Sequence, residues 1–215
     1  MLMEATGLSE PELFAKNKYL SVKGMIPINI CDVAAQYALF HRHNFFRPES
    51  ERQMVPGTHG IYGDLLMETL LKFTRPHLER RIGFETIPTY SYFRIYKPGD
   101  ELKRHKDRPA CEISLSVTLG YDYIGVGPDY EWPIFIGDSD GSIGTKGRAF
   151  ACKPGDCIIY RGCELEHWRE PFDAKEGSFQ VQVFLHYVDA NGPYARLCPF
   201  DRRPGIGFPP APKGT

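Results

Sequence analysis

Three residues in this chain have types and spacing that could do chemistry together: His105, Asp107 and His167. His105 and Asp107 stand two apart in ELKRHKD, a run with strand character. On a strand, positions i and i+2 face the same side, so this imidazole and carboxylate can converge while Arg104 and Lys106 face away. Such a pair alone is a common accident. It gains meaning from His167, a second imidazole much later in the chain, in GDCIIYRGCELEHWREP. Two imidazoles and one carboxylate on one side of a divalent ion, with other positions open, suit Fe(II) and its reactions with dioxygen. A fourth protein ligand would block the positions that the reactants need. The rival second imidazole is His186, in the apolar run VFLHYV, where a pocket-lining or core role fits better. His41, His43, His59 and His77 fall on expected helices or loops with no partner at ligand spacing.

Eight short runs rich in β-branched and aromatic residues must position the three side chains. They are TYSYFRIY, ELKRHKD, CEISLSVTLGY, WPIFIGD, GRAFACK, CIIYRG, LEHWREPF and SFQVQVFLHYV, separated by turn signals such as KPGD and SDGS. This rhythm predicts a mainly β protein of the α+β class with a jelly-roll, cupin-like core over 88–190. Residues 1–87 read as a helical support region packed on one sheet. One helix is expected from Ile30 to His43, capped by Asn29, with Val33, Tyr37 and Phe40 on its buried face. Another begins near Asp64 with a stripe of Leu66, Leu70 and Phe73, and Pro76 should kink or restart it. The stretch 47–64 between them reads as a long loop, and 191–215 as a Pro/Gly-rich tail over the surface. At 215 residues a single domain is the default.

Composition narrows the partners. Lys+Arg 26 against Asp+Glu 27 leaves a net charge of -1. The basic groups Lys103, Arg104, Lys106 and Arg108, with the pairs Arg80–Arg81 and Arg202–Arg203, lack interleaved aromatics. They are expected on solvated surface, with no nucleic-acid partner. No window reaches the apolar length of a membrane span, and MLMEATGLSEPELF has neither a positive start nor an apolar stretch. A cytoplasmic protein without membrane contact is therefore expected. The six cysteines form no CxxC pair, which argues against structural zinc and leaves reduced, mostly buried thiols.

In order and spacing, the span from about Pro88 to Val188 resembles the double-stranded β-helix of the Fe(II)/2-oxoglutarate-dependent dioxygenases, and is most similar to their prolyl 4-hydroxylase-like branch. Tyr96 in YKPGDELKRHKD resembles the run that opens the family core, and CEISLSVTLGYD the strand that ends near the cosubstrate. KPGDCIIY resembles the turn before the distal-histidine strand, and LEHWREP that strand itself. The resemblance implies Fe(II) held by His105, Asp107 and His167, with 2-oxoglutarate as cosubstrate and O2 as oxidant. It also implies hydroxylation of an unactivated C–H bond, on a small molecule or a peptide, with a prolyl residue or a free amino acid as candidates. Family halogenases lack the carboxylate that Asp107 supplies.

One family feature is missing. Members of this branch place an Arg or Lys on the last core strand to pair with the far carboxylate of the cosubstrate, and Gln180 stands there instead. Strand parity offers Arg169, two residues after His167, as the substitute. Arg94 is the second choice, since it shares a face with Tyr96, and Gln180, Ser116 and Thr118 could add neutral hydrogen bonds. Two other readings stay open: a β-barrel binding module without turnover, and a metal-dependent oxygenase of the same fold that uses no 2-oxoglutarate.

Overall fold

Alternation along the β runs puts apolar residues on one side and polar or aromatic residues on the other, and all eight runs form strands. The fold is that of a computed structural model describing residues 7–50 and 53–209. Its helices are α1 (Glu10–Asn17), α2 (Ile28–Asn44) and α3 (Leu65–Ile82). The strands expected from the sequence are β3 (Thr86–Tyr96), β4 (Leu102–His105), β5 (Ile113–Asp122), β6 (Ile134–Ile136), β7 (Arg148–Phe150), β8 (Cys157–Tyr160), β9 (His167–Arg169) and β10 (Phe179–Asp189). Two more, β1 (Tyr19–Val22) and β2 (His59–Tyr62), come from the N-terminal part.

The strands make two antiparallel sheets, ordered β1-β8-β5-β10-β3-β2 and β4-β9-β6-β7. This is the double-stranded β-helix. The long central strands of the larger sheet divide its two faces by parity. Phe93, Ile95, Leu115, Val117, Val181, Val183 and Leu185 point outward into a core shared with the helices. Inward go Ser114, Ser116 and Thr118 of β5, and Gln180, Gln182 and His186 of β10, which are buried but polar. The helices therefore cover one sheet, as expected, and the opposite face of that sheet is left for chemistry.

The N-terminal elements depart from expectation in detail. Helix α2 starts at Ile28 after Pro27, so Asn29 lies inside it and caps nothing. Its buried face is Cys31, Ala34, Ala35 and Ala38, while Val33 and Phe40 are mostly exposed. Small side chains win because the helix lies close against β5: a Cβ at Gly120 would come within 3.1 Å of the Ala35 Cβ. In α3 the buried stripe is Met67, Leu70, Leu71, Thr74, Leu78 and Ile82, and Phe73 turns partly to solvent. The helix runs through Pro76 without stopping. Loss of one N–H there costs about 3 kcal/mol, which burial of Leu78 and Ile82 in the following turns offsets. Asp64 does cap α3, accepting from the Leu66 and Met67 amides at 3.0 and 3.2 Å. The stretch 47–64 is not all loop, since β2 pairs with β3 and Pro48 bridges His59.

The tail, as far as Pro209, lies over the β3 side, held where the Arg203 guanidinium meets Glu68 at 2.7 Å and the Thr89 carbonyl at 2.9 Å. The expected tail residues 210–215 lie outside the described residues. All six cysteines are unpaired. Among the described residues no helix is long and apolar enough to cross a membrane.

The helix face can be checked by unfolding in urea. Ala35→Leu should overpack the α2–β5 contact and cost about 1–3 kcal/mol. Phe40→Ser should change stability by less than about 0.5 kcal/mol.

Candidate metal centre

His105 and His167 are brought together by register. They are directly opposed residues on the paired strands β4 and β9, and their ring centroids are 4.2 Å apart. Each imidazole is oriented by its own strand. His105 Nδ1 donates to the Lys103 carbonyl at 2.7 Å, and His167 Nδ1 to the Leu165 carbonyl at 3.2 Å. With each Nδ1 facing a pure acceptor, each must carry the proton there, which leaves both Nε2 lone pairs free. Both Nε2 atoms lie 3.6 Å from Asp107 Oδ1. That separation is within the span of two bonds of about 2.1 Å to one shared ion.

Asp107 reaches this point by a different route from the one expected. Strand β4 ends at His105, so simple alternation does not carry Asp107 inward. Its backbone N–H instead donates to the Gly162 carbonyl at 2.8 Å, in the turn before β9. A side chain on Gly162 would overlap Asp107 Oδ2 and the Cys111 carbonyl. Glycine is needed there for close approach. Burial opposes ionisation of Asp107, but positive charge at His167 and His105 overcomes it and holds the carboxyl well below the usual carboxylate range; with both rings neutral, a bound cation would take over that role. The ligand atoms of His105, Asp107 and His167 all lie within 4.8 Å of one another. An anionic oxygen and two imidazole Nε2 atoms, each ring having its Nδ1 proton turned away, make a donor set suited to a divalent cation.

The three side chains share a cavity of about 150 Å³ with Tyr90, Tyr92, Arg94, Tyr160, Phe184 and His186, among others. His186 is thus a wall of the cavity. It also belongs to a second cluster, with Asp107 and Cys111. Burial pushes its pKa down to about 4 and keeps it neutral.

The residues expected around a cosubstrate are all buried on the inner side of the barrel. Arg94 and Tyr96 do share a face of β3, and Arg94 donates to the Tyr96 hydroxyl at 3.1 Å. Arg94 is already neutralised, however, by Glu49 at 2.7 Å. Gln180 donates to Gln182 at 2.8 Å, and Gln182 donates to Ser116 at 2.9 Å and accepts from Thr118 at 3.1 Å. The Tyr123 hydroxyl donates to Gln180 at 2.5 Å, and these five form a neutral network. Arg169 differs from Arg94. Its guanidinium is fully buried beside the Trp132 ring, with one N–H donated to the Trp132 carbonyl at 2.6 Å. Its Nε has no partner, and among the described residues no carboxylate pairs with it. Burial pushes its pKa down. A buried unpaired cation is costly unless an anion joins it.

Several contributors escape a reading by spacing. Gly162 sits in an ordinary turn, and Glu49 comes from the stretch read as loop. Ser114, which touches Asp107, had a signal available: it shares parity with Ser116 and Thr118.

No protein-family model and no curated protein matches the chain. Solved structures do. A Pseudomonas putida prolyl-4-hydroxylase superposes with a TM-score of 0.59 at 14% identity, over 81% of this chain and 95% of that one. The chain has the fold of the iron/2-oxoglutarate oxygenases. SnoK, a non-haem α-ketoglutarate-dependent carbocyclase from nogalamycin biosynthesis, gives 0.64 at 13% identity, over 95% and 97% of the two chains. HygX from Streptomyces hygroscopicus, solved with nickel and 2-oxoglutarate, gives 0.60 at 11% identity, over 84% and 86%.

Gly162→Ala should displace the Asp107 carboxylate and weaken Mn(II) binding at least about tenfold, the usual cost of disturbing a ligand's support. Titration of the two proteins with Mn(II), followed by its paramagnetic resonance signal, would read this directly.

Proposed function

We propose that this chain is an Fe(II)- and 2-oxoglutarate-dependent dioxygenase that hydroxylates an unactivated C–H bond. The observation that carries the reading is the convergence of two imidazoles oriented by backbone carbonyls and one carboxylate on the wall of a cavity. His105, Asp107 and His167 would hold the iron at the wall of that cavity. Iron and 2-oxoglutarate together bring oxidative decarboxylation of the cosubstrate to succinate and CO2, coupled to oxidation of the substrate.

The chain's own residues orient the reactants and exclude water. Arg169 would take the far carboxylate of 2-oxoglutarate, because among the described residues no carboxylate pairs with this buried guanidinium, and its fork can bind both oxygens. Tyr96 packs beside Arg169 and against Trp132, while Gln180, Thr118 and Ser116 keep the surrounding wall polar and hydrogen-bonded. Arg94 would act on the substrate side, held by Glu49. Leu102, Phe184 and Met54 give the metal cavity an apolar boundary. This cavity shares Gln53, Tyr90 and Tyr92 with a larger cleft of about 920 Å³. Tyr62, Arg108, Asp201 and Arg202 complete the outer cleft, so the C-terminal arm walls the approach to the metal. A cleft of that size favours a prolyl or other group carried on a larger molecule over a free amino acid.

Anaerobic addition of Fe(II) and then 2-oxoglutarate tests the reading. A weak visible charge-transfer band, formed only with both present, is expected. Iron uptake without the band would favour a metal-dependent oxygenase that does not use 2-oxoglutarate. No iron uptake would favour a binding module without turnover.

Arg169→Leu should raise the KM for 2-oxoglutarate roughly 10- to 100-fold, the loss of a buried charge-assisted hydrogen-bond pair. The same substitution at Arg94 should leave that KM nearly unchanged. An unaltered KM in the Arg169 variant removes it from this role.

A further inference from the structure

We infer that Ser114 and His186 are positioning residues for Asp107, with Ser114 holding one carboxylate oxygen and His186 setting the direction of the Ser114 proton. The inference rests on the metal-binding reading of His105, Asp107 and His167. Ser114 is fully buried on the inner face of β5. Its hydroxyl oxygen lies 3.2 Å from Asp107 Oδ2, 3.1 Å from the Cys111 carbonyl and 2.9 Å from His186 Nδ1. A hydroxyl has one proton to give. Asp107 Oδ2 and the Cys111 carbonyl can only accept, whereas a neutral imidazole nitrogen can do either.

Donation from Ser114 to His186 would take the hydroxyl proton away from an anionic oxygen in a dry site. Donation to Asp107 makes a charge-assisted hydrogen bond, the stronger kind. The contact with His186 then has to run the other way, from Nδ1–H to the Ser114 oxygen. A hydroxyl that accepts one hydrogen bond is polarised to donate the next, so the chain His186, Ser114, Asp107 is cooperative. The Tyr90 ring, 4.5 Å from the His186 ring between centroids, fixes the imidazole plane.

The two carboxylate oxygens of Asp107 thus have separate duties. Oδ1 faces both imidazoles at 3.6 Å, and Oδ2 is kept by Ser114. Without the hydroxyl the carboxylate is free to turn about its Cβ–Cγ bond. The same proton accounting leaves His186 Nε2 as a bare acceptor on a residue that lines the cavity.

Co(II) titration of the full chain, followed by its visible absorption bands, tests this without any turnover. Ser114→Ala should weaken Co(II) binding about 10- to 100-fold and shift the band pattern, with thermal unfolding of the metal-free protein as the control for folding. His186→Phe keeps a ring packed against Tyr90 but removes the donor, and should weaken binding as well. His186→Asn places an amide N–H near the former Nδ1 and should recover much of the affinity. Wild-type affinity and bands in Ser114→Ala would overturn the inference, and an Asn variant no better than Phe would overturn the part given to His186. If the unaltered protein takes up no Co(II), the metal reading itself fails and this inference with it.

Discussion

The site depends on one register: His105 on β4 opposite His167 on β9. Directly opposed residues on antiparallel strands have neighbouring side chains on the same face, so two histidines far apart in sequence become a pair. A shift of one residue in either strand would send one imidazole to the other face. Each ring then needs only a nearby carbonyl to take its Nδ1 proton, and the strands supply it from Lys103 and Leu165. Asp107 completes the set only because the turn at Gly162 comes close enough to hold its backbone. The donor set therefore spans two strands and two turns.

The larger sheet serves that geometry by keeping its faces distinct. Helices α2 and α3 cover the outer face, where the apolar residues of β3, β5 and β10 meet Ala34, Ala35, Ala38, Met67 and Leu71. The inner face carries hydroxyls, amides, tyrosines and arginines that would be costly in a plain core. Most are satisfied by one another, as in the Gln180–Gln182–Ser116 chain, or by loop acids, as Arg94 is by Glu49. Arg169 is the exception. Among the described residues no carboxylate meets its guanidinium, and its Nε has no partner.

The parts outside the β core hold charge as well as apolar surface. Glu68, in α3, is buried because Arg203 of the C-terminal arm meets it, and Arg108 beside the metal residues is tied to Asp201 of the same arm. Phe200, Asp201 and Arg202 all have positive φ, at 49°, 52° and 63°. Three such residues in succession are strained by about 1–2 kcal/mol each. The segment keeps this shape with Asp201 fastened to both Arg108 and Tyr62. An arm that reads as a featureless tail is in this way part of the wall of the outer cleft.

Much was legible in residue order alone. The eight strands, their alternation, the shared face of His105 and His167 and the inward parity of Arg94, Tyr96 and Arg169 follow from a period of two, which any strand must obey whatever it packs against. Helix α1, opened by the Ser9–Glu12 capping box, was missed in the sequence reading. Tertiary structure decided the rest. Helix faces were misjudged because Val33, Phe40 and Phe73 are the larger apolar residues, yet the space above the sheet admits alanine. The placement of Asp107 by Gly162, the neutralisation of Arg94 by Glu49 and the Ser114–His186 contact join segments distant in the chain. Local periodicity has no information about which distant surfaces meet, and burial and hydrogen-bond satisfaction are settled only when they do.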